Sequence, residues 1–202
     1  MSWQTISTNN AVVTGTYALI KRHSKVFLPQ ELVDDVSVDE AKIVQMTYRR
    51  FMRLRPFISR RKMVRDTYTA YLRYKFKKEN YALKRSMVVM EPQRCCIRKE
   101  LWNSLMFFTK SVIYLPESKT CKYEISRDNT ACRQILKNML TMEFQKESII
   151  YGSRLRDNKL YLNLRESFQY VKCEQHSNPN LMIIGEFDRY IIYLNELLHT
   201  RL

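Results

Sequence analysis

The chain has 202 residues, enough for one ordinary domain or two small ones with a buried core. Hydrophobic residues make up 45% and aromatic residues 12%, which excludes a disordered composition, and 3 glycines and 5 prolines argue against β-sandwiches and loop-rich scaffolds. Lysine and arginine number 35 against 20 acids, so the net charge of +15 favours an anionic partner: nucleic acid, acidic protein or anionic lipid. We expect a mainly α-helical protein.

The first part of the chain shows no steady helical period. We predict an irregular N-terminal arm over residues 1–37, followed by a single helical domain over residues 38–202. The first thirty residues contain no acid and are rich in serine and threonine, which resembles part of a mitochondrial transit peptide. We therefore expect a mitochondrial location, with the cytoplasm as the alternative. No apolar run approaches the ~20 residues that cross a bilayer, so no transmembrane segment is expected.

Two amphipathic helices are predicted after the arm. Ser37 is expected to cap a helix over residues 38–55, with Glu40 three positions later, and Pro56 is expected to end it. A second helix over residues 60–84 has apolar side chains at the 3.6-residue period. Because the connection is short, the two helices are predicted to form an antiparallel hairpin, on which a helical bundle is built.

The rest of the chain contains two more clear helical patterns. One helix is predicted from apolar residues at Ile97, Leu101, Leu105, Phe108 and Val112. The next is expected to begin at Asp128 or Asn129 and to bury Cys132, Ile135, Leu136, Met139 and Leu140. Residues 117–127 suggest a loop or short strand, residues 160–164 alternate as in a strand, and residues 177–180 predict a turn. A final helix is predicted to bury Phe187, Tyr190, Ile191, Leu194 and Leu198.

The cysteines and histidines do not suggest a metal site. Five cysteines form an odd set without regular spacing, which favours a reducing compartment, and Cys132 is best interpreted as a core thiol. Only His176 lies near a cysteine, Cys173, and no second pair completes a tetrahedral zinc site. We expect neither a metal nor another cofactor.

No local signature of catalysis is present in the sequence. The three glycines lie too far apart for a P-loop or a dinucleotide-binding turn. Serine, histidine and aspartate occur without a nucleophile elbow. The main acidic cluster flanks a predicted helix start, where acids interact favourably with the helix dipole, and comprises Glu31, Asp34, Asp35, Asp39 and Glu40. We expect a non-enzymatic protein.

Most of the positive charge lies in one segment. Between Tyr48 and Arg85 there are 14 basic residues and only two acids, Asp66 and Glu79, which gives +12 of the total +15. A solvated helix normally alternates acids with bases at i,i+4, so this imbalance favours an anionic partner over a merely solvated face. The partner is either nucleic acid, whose phosphates would be neutralised, or an acidic protein.

Tyrosines accompany these charges. Tyr48, Tyr68, Tyr71 and Tyr74 are able to stack on unpaired bases if the partner is single-stranded nucleic acid. Tyrosines at helical spacing are more often core residues with the hydroxyl at the rim, and that is the favoured interpretation.

Four blocks carry a more specific pattern: YALIKRHSKVFLP at 17–29, TYRRFMRLRPFISRRKMVRDTYTAYLRYKFKKENYALKR at 47–85, YLPESKTCKYEISRDNTACRQILKNMLTMEFQK at 114–146 and IIYLNELLHTRL at 191–202. In this order they closely resemble the fungal increased recombination centers protein 19 family. They cover about half of the chain, and residues 86–113 and 147–190 match poorly. The resemblance implies a non-enzymatic protein needed for sporulation and for maintenance of the mitochondrial genome, hence for respiratory growth, in a pathway contributing to genome integrity. It brings no catalytic residues.

A second, shorter likeness lies in residues 47–76. Tyr48-Arg49, Met52-Arg53, Arg65 and Phe76 resemble the core pattern of LYR-motif proteins, small mitochondrial three-helix proteins that help to assemble respiratory complexes and ribosomes. Thr47 stands where that family has leucine. The likeness implies an LYR-type assembly factor, whose basic helices meet the acidic surface of mitochondrial acyl carrier protein while the acyl chain enters the helical core.

The candidate partner-binding residues follow from these interpretations. An acidic protein, with mitochondrial acyl carrier protein as one candidate, or nucleic acid is expected to contact the cations of the hairpin. We assign this contact to Arg49, Arg53, Arg65, Arg73, Lys75, Lys77 and Lys78.

Overall fold

A computed structural model of the chain describes residues 6–7, 11–13, 18–20, 26, 28–91, 95–112, 127–152 and 179–202. The described part is mainly helical, which confirms the predicted fold class. The prediction of an irregular N-terminal arm is wrong in part, because residues 1–37 contain regular elements. Three short strands, β1 (Ile6–Ser7), β2 (Ala11–Val13) and β3 (Ala18–Ile20), form an antiparallel sheet there in the order β1-β2-β3, and a short helix follows them. In the register Ile6 faces Val13, and Ala11 faces Ile20.

Seven helices are described: α1 (Gln30–Asp34), α2 (Glu40–Ile58), α3 (Lys62–Lys77), α4 (Tyr81–Val88), α5 (Ile97–Val112), α6 (Arg127–Gly152) and α7 (Pro179–Leu198). The predictions for residues 117–126 and 160–164 lie outside the described residues. The cap predicted at Asp128 or Asn129 rests on side chains that also lie outside them. Pro179 and Asn180 open α7 rather than form a turn, and proline is well suited to a first helical turn because its missing N–H has no intrahelical partner there.

The limits of α2 differ from the prediction. Asp39, not Ser37, is its N-cap residue, and the Ser37 N–H donates to the Asp35 carboxylate at 2.9 Å. Pro56 does not end α2, which continues to Ile58. Pro56 is exposed and lies in the last turn of α2. Its missing N–H therefore removes a single backbone hydrogen bond close to the end of the helix.

The helix predicted over residues 60–84 is two helices. Lys78, with φ −124°, leaves the helical path after α3, and Asn80 then caps α4 by accepting a hydrogen bond from the Leu83 N–H at 3.1 Å. Asparagine is among the best N-cap residues, because its side-chain oxygen satisfies one of the unpaired N–H groups of the first turn. The break turns the chain so that α4 contacts α7.

Helices α2 and α3 lie side by side and run in opposite directions. Tyr48 packs against Phe76 with ring centroids 5.2 Å apart, the Tyr68 hydroxyl donates to the Phe51 carbonyl at 2.8 Å, and Arg55 binds Asp66 at 2.8 Å. Residues later in α2 thus contact residues earlier in α3, as expected for an antiparallel pair of helices.

The core is centred on α5, which packs against both α2 and α6. Phe108, 2% exposed, touches the rings of Phe51, Tyr68, Tyr71 and Phe107 at centroid distances of 5.1, 6.0, 6.4 and 6.1 Å. The interpretation of Tyr68 and Tyr71 as core residues is therefore confirmed, but their hydroxyls are buried and do not lie at the rim as expected. Burial raises the pKa of Tyr68 well above its ordinary value.

The arm contributes to this core. Val26, Leu28 and Val33 are buried in it, and the Trp102 indole N–H donates to the Leu28 carbonyl at 3.0 Å. Arg98 donates to the carbonyls of the chain just before α2, including that of Asp35 at 2.7 Å. The division of the chain at residues 37 and 38 stays a prediction.

The predicted buried side of α7 is only partly correct. Phe187, Ile191 and Leu194 pack against the core, whereas Tyr190 and Leu198 are exposed. The fully buried positions are instead Ile184, Asp188, Ile192 and Asn195. Two of these are polar, so a search for apolar periodicity places the buried face of this helix incorrectly.

Thr47 occupies a core position on α2. It is 0% exposed, and within the described residues its hydroxyl oxygen has no hydrogen-bond partner. A buried hydroxyl without a partner costs free energy, so Thr47→Val is expected to leave stability unchanged or to raise it by up to about 1 kcal/mol. Urea unfolding measures this.

Thr200 provides the matched control for that substitution. It is also buried, but its hydroxyl donates to the Asn195 side-chain oxygen at 2.9 Å. Thr200→Val is expected to lower the free energy of unfolding by about 1 kcal/mol, because it removes one of the two buried hydrogen bonds that the Asn195 oxygen accepts, the other coming from the Leu202 N–H. Equal losses for both variants would contradict this assignment of the two hydroxyls.

Candidate interaction surface

The 14 cations between Tyr48 and Arg85 differ in exposure. Some are engaged inside the fold, as Lys75 is by the backbone oxygen of Leu202 and Arg85 is by Glu100. Five of the seven candidate residues are exposed: Arg49, Arg53, Arg73, Lys77 and Lys78. We call these five residues the cationic surface.

The pairing of α2 with α3 places this surface on both helices. Arg49 and Arg53 are one turn apart on α2, and Arg73 and Lys77 are one turn apart on α3. The contact between Tyr48 and Phe76 puts the next residue of each helix, Arg49 and Lys77, at the same level of the pair. The surface therefore extends across two adjacent helices.

The two acids between Tyr48 and Arg85 are engaged by cations that lie outside the cationic surface. Asp66, the only acid in α3, binds Arg55 instead. Glu79, the next acid along the chain, is bound by Lys75 at 3.0 Å and by Lys84 at 3.5 Å. The positive charge of this region is thus presented outward.

Lys75 does not belong to the exposed group. Only 12% of its side chain is exposed, and its ammonium donates to Glu79 and, at 2.6 Å, to the backbone oxygen of Leu202. Burial lowers the pKa of Lys75 more than the attraction of Glu79 raises it. In this structure Lys75 joins the end of α3 to residues that follow α7, so its substitution is not expected to be neutral for folding.

Arg65 is half-buried beside α2. Its carbonyl accepts a hydrogen bond from the Arg55 Nε at 3.3 Å, and the Thr69 hydroxyl donates to the same oxygen at 2.8 Å. The guanidinium Nε of Arg65 is buried and has no hydrogen-bond partner among the described residues. This candidate is less accessible than the five residues of the cationic surface.

The cations of α4 are also internal. Arg85 binds Glu100 of α5 at 3.2 Å and Glu196 of α7 at 2.8 Å. The hydrogen bond and charge of Glu196 raise the pKa of Arg85. Arg85 therefore connects α4 to α5 and α7, and Lys84 is buried against Glu79.

A buried ionic cluster links α6 to α7, and the sequence interpretation missed it. The Lys146 ammonium donates to Glu143 at 3.2 Å and to both carboxylate oxygens of Asp188 at 2.8 and 2.9 Å. Lys146, Asp188 and Glu143 are 3%, 6% and 7% exposed. Helical spacing alone could have located these charges. Glu143 and Lys146 follow Met139 on the buried side of α6, and Asp188 lies between the buried residues Ile184 and Ile192 of α7.

The described residues offer few features of a reactive site. Cys95, Cys96 and Cys132 are not joined in disulfides, and Cys132 is half-buried against the core, in agreement with its interpretation as a core thiol. Cys121, Cys173 and His176 lie outside the described residues. Within the described ranges no group of three or more histidine, cysteine or acidic residues is placed to hold a metal ion.

Comparison with known proteins extends the resemblance to nearly the whole chain. The family model described as increased recombination centres protein 19 matches residues 6–202. The chain belongs to the increased recombination centers protein 19 family. The match includes residues 86–113 and 147–190, which the sequence interpretation left outside the resemblance. No solved structure matches the chain.

Relatives in three yeasts carry the same family name. The chain is 48% identical to increased recombination centers protein 19 of Vanderwaltozyma polyspora, over 98% of this chain and 96% of the relative. It is 46% identical to that of Zygosaccharomyces rouxii over the full length of both, and 42% identical to that of Saccharomyces cerevisiae over 98% of this chain and 97% of the relative.

Among the helices of the described residues, none has an apolar stretch of the length that a membrane span requires.

Proposed function

We propose that this chain is a non-enzymatic protein of mitochondrial genome maintenance that acts by docking its cationic surface on an anionic partner. Membership of the increased recombination centers protein 19 family supports a role related to recombination. The more specific proposal is that the chain is needed for sporulation and for keeping mitochondrial DNA, and thereby contributes to genome integrity and respiratory growth. We propose the mitochondrion as its location.

The observation that carries the proposal is the exposure of Arg49, Arg53, Arg73, Lys77 and Lys78 on two adjacent helices. The two acids between Tyr48 and Arg85, Asp66 and Glu79, are bound by other cations. Like charges concentrated on one surface repel one another, and an anionic partner relieves that repulsion.

The partner has two candidate classes. An acidic protein is supported by the LYR-like residues, because Tyr48 and Phe76 pack together and leave Arg49 exposed. Mitochondrial acyl carrier protein is the specific candidate, in which case the chain is an LYR-type assembly factor and its genome role is indirect. Direct binding of nucleic acid is the alternative, through phosphates more than through base stacking, because Tyr68 and Tyr71 are buried.

An affinity purification from mitochondria distinguishes these classes. The full chain is compared with a surface variant, in which Arg49, Arg73 and Lys77 become glutamine. A control variant, in which Lys42, Lys62 and Lys99 become glutamine, removes the same number of exposed charges elsewhere. Both variants are expected to fold, because exposed substitutions usually change stability by less than ~0.5 kcal/mol each.

Two readouts identify the partner. An acyl carrier partner co-purifies in stoichiometric amount with a phosphopantetheine mass, and it is lost from the surface variant only. A duplex DNA partner with ~5 phosphate contacts binds about 10²–10³-fold more weakly when salt rises from about 50 to 200 mM, and the surface variant flattens that salt dependence by about 3 units. Equal recovery of all partners with the wild-type chain, the surface variant and the control variant would contradict the proposal.

A further inference from the structure

A groove opens at the end of the α2–α3 pair opposite to Arg49 and Lys77. It lies between the turn that joins α2 to α3, the end of α5 and one side of α6, and its volume is about 460 Å³. This size falls within the range of small-molecule sites, roughly 300–1,000 Å³. The residues of its lining that matter here are Arg61, Val112, Leu136, Lys137, Leu140 and Phe144.

The wall of the groove is mostly apolar. Leu136, Leu140 and Val112 are buried at its base and belong to the core. Met63 and Phe144 stand at its edges and are 50% and 39% exposed. Covering apolar surface lowers the free energy by about 25 cal/mol for each Å² removed from water, so the groove favours an apolar occupant.

Cations accompany this apolar wall, and no acid does. Arg61 enters from the start of α3, and Arg133 and Lys137 lie one turn apart on α6. None of the described residues that line the groove is aspartate or glutamate. An occupant with a negative charge at one end is therefore complementary to both the wall and its charged edge.

We propose that this groove binds a single-chain amphiphile with a carboxylate head, that is, a long-chain fatty acid, with the hydrocarbon tail along Leu136, Leu140 and Phe144. The head lies beside Arg61 and Lys137. None of the five residues of the cationic surface lines this groove. The groove and the cationic surface therefore share no residue, and substitutions test them separately.

Calorimetric titration of the purified full chain tests the site. The probes are tetradecanoate, tetradecan-1-ol and tetradecyltrimethylammonium, which share one chain length and differ in head charge, all used below their micelle concentrations. We expect saturable 1:1 binding of tetradecanoate, at least 10-fold weaker binding of the alcohol and no binding of the ammonium compound. Equal binding of the three probes, or none of tetradecanoate, would overturn the proposal.

Two variants locate the site, and both carry exposed substitutions. Thr141→Trp places a large side chain at the mouth of the groove on the surface of α6 and is expected to weaken tetradecanoate binding at least 10-fold. Replacing both Arg61 and Lys137 with glutamine is expected to do the same. The matched control replaces Lys42 and Lys99 with glutamine and is expected to bind within twofold of the wild-type chain. Unchanged binding in Thr141→Trp, with circular dichroism showing a folded chain, would place the fatty acid elsewhere.

Discussion

Lys146→Met is expected to lower the free energy of unfolding by about 3–5 kcal/mol, because it removes a cation that contacts both buried carboxylates, Glu143 and Asp188. Glu143 and Asp188 are both more than nine-tenths buried, and the Lys146 ammonium contacts them at 3.2 and 2.8 Å. Removing one partner of a buried ion pair exposes the full desolvation cost of the other. For a domain of this size the melting temperature is expected to fall by roughly 6–20 °C, which differential scanning calorimetry measures.

A lysine on the surface of the same helix provides the control. Lys137 is exposed on α6, and Lys137→Met is expected to change stability by less than ~0.5 kcal/mol. If Lys146→Met and Lys137→Met lower the free energy of unfolding equally, the buried cluster does not hold α6 to α7.

The pH dependence of Lys146→Met carries a definite sign. Burial alone would raise the pKa of Asp188, but the attraction and hydrogen bonds of Lys146, together with the charge of Lys84, hold it below its ordinary value of 3.8. A carboxyl group with a lowered folded-state pKa stabilises the fold above its unfolded pKa, and this contribution is lost as the pH falls through the folded value.

Without Lys146, burial of Asp188 favours the protonated carboxyl. The difference in free energy of unfolding between the wild-type chain and Lys146→Met is therefore expected to be largest near neutral pH. This difference is expected to narrow as the pH falls from about 7 towards 4. Urea unfolding over this pH series measures the difference. A difference that widens on acidification would show that the Asp188 carboxylate is not what Lys146 stabilises.

The second large effect is expected at Phe108. Its ring is 2% exposed and contacts rings from α2, α3 and α5. Phe108→Ala removes these contacts and leaves a cavity, so we expect a loss of about 3–5 kcal/mol in the free energy of unfolding. Chemical denaturation measures it.

Phe144→Ala is the matched control for that substitution. Phe144 is 39% exposed on α6, and its truncation is expected to cost about 1–2 kcal/mol, less than that of Phe108, because part of its ring already faces water. Comparable losses at both positions would contradict the placement of Phe108 at the centre of the core.

The fold could be predicted where apolar side chains alone define a buried face. On α5, Leu101, Leu105, Phe108 and Val112 follow the helical period and are all buried, so the pattern locates the helix and its inner side. On α7 the same method failed, because Asp188 and Asn195 occupy buried positions that a search for apolar residues does not recognise. Buried polar residues require partners from other helices, and those partners are visible only in three dimensions.

The candidate site shows the same limit. Charge density identified the segment of Tyr48 to Arg85 correctly as the basic part of the chain, but it did not separate exposed cations from internal ones. Lys75 and Lys77 are two residues apart, yet one binds Glu79 and Leu202 inside the fold while the other is exposed. Asn80 provided the one local signal of the break between α3 and α4, because its side chain caps the new helix.

We propose that the cationic surface of α2 and α3 is required for maintenance of the mitochondrial genome. This is tested by expressing the wild-type chain, the surface variant and the control variant in a host whose own copy has been deleted, and by counting the cells that retain mitochondrial DNA and grow on a respiratory carbon source. The wild-type chain and the control variant are expected to restore both properties, whereas the surface variant, present at the same level, is expected to restore neither. Full restoration by the surface variant would show that Arg49, Arg73 and Lys77 form only a solvated face.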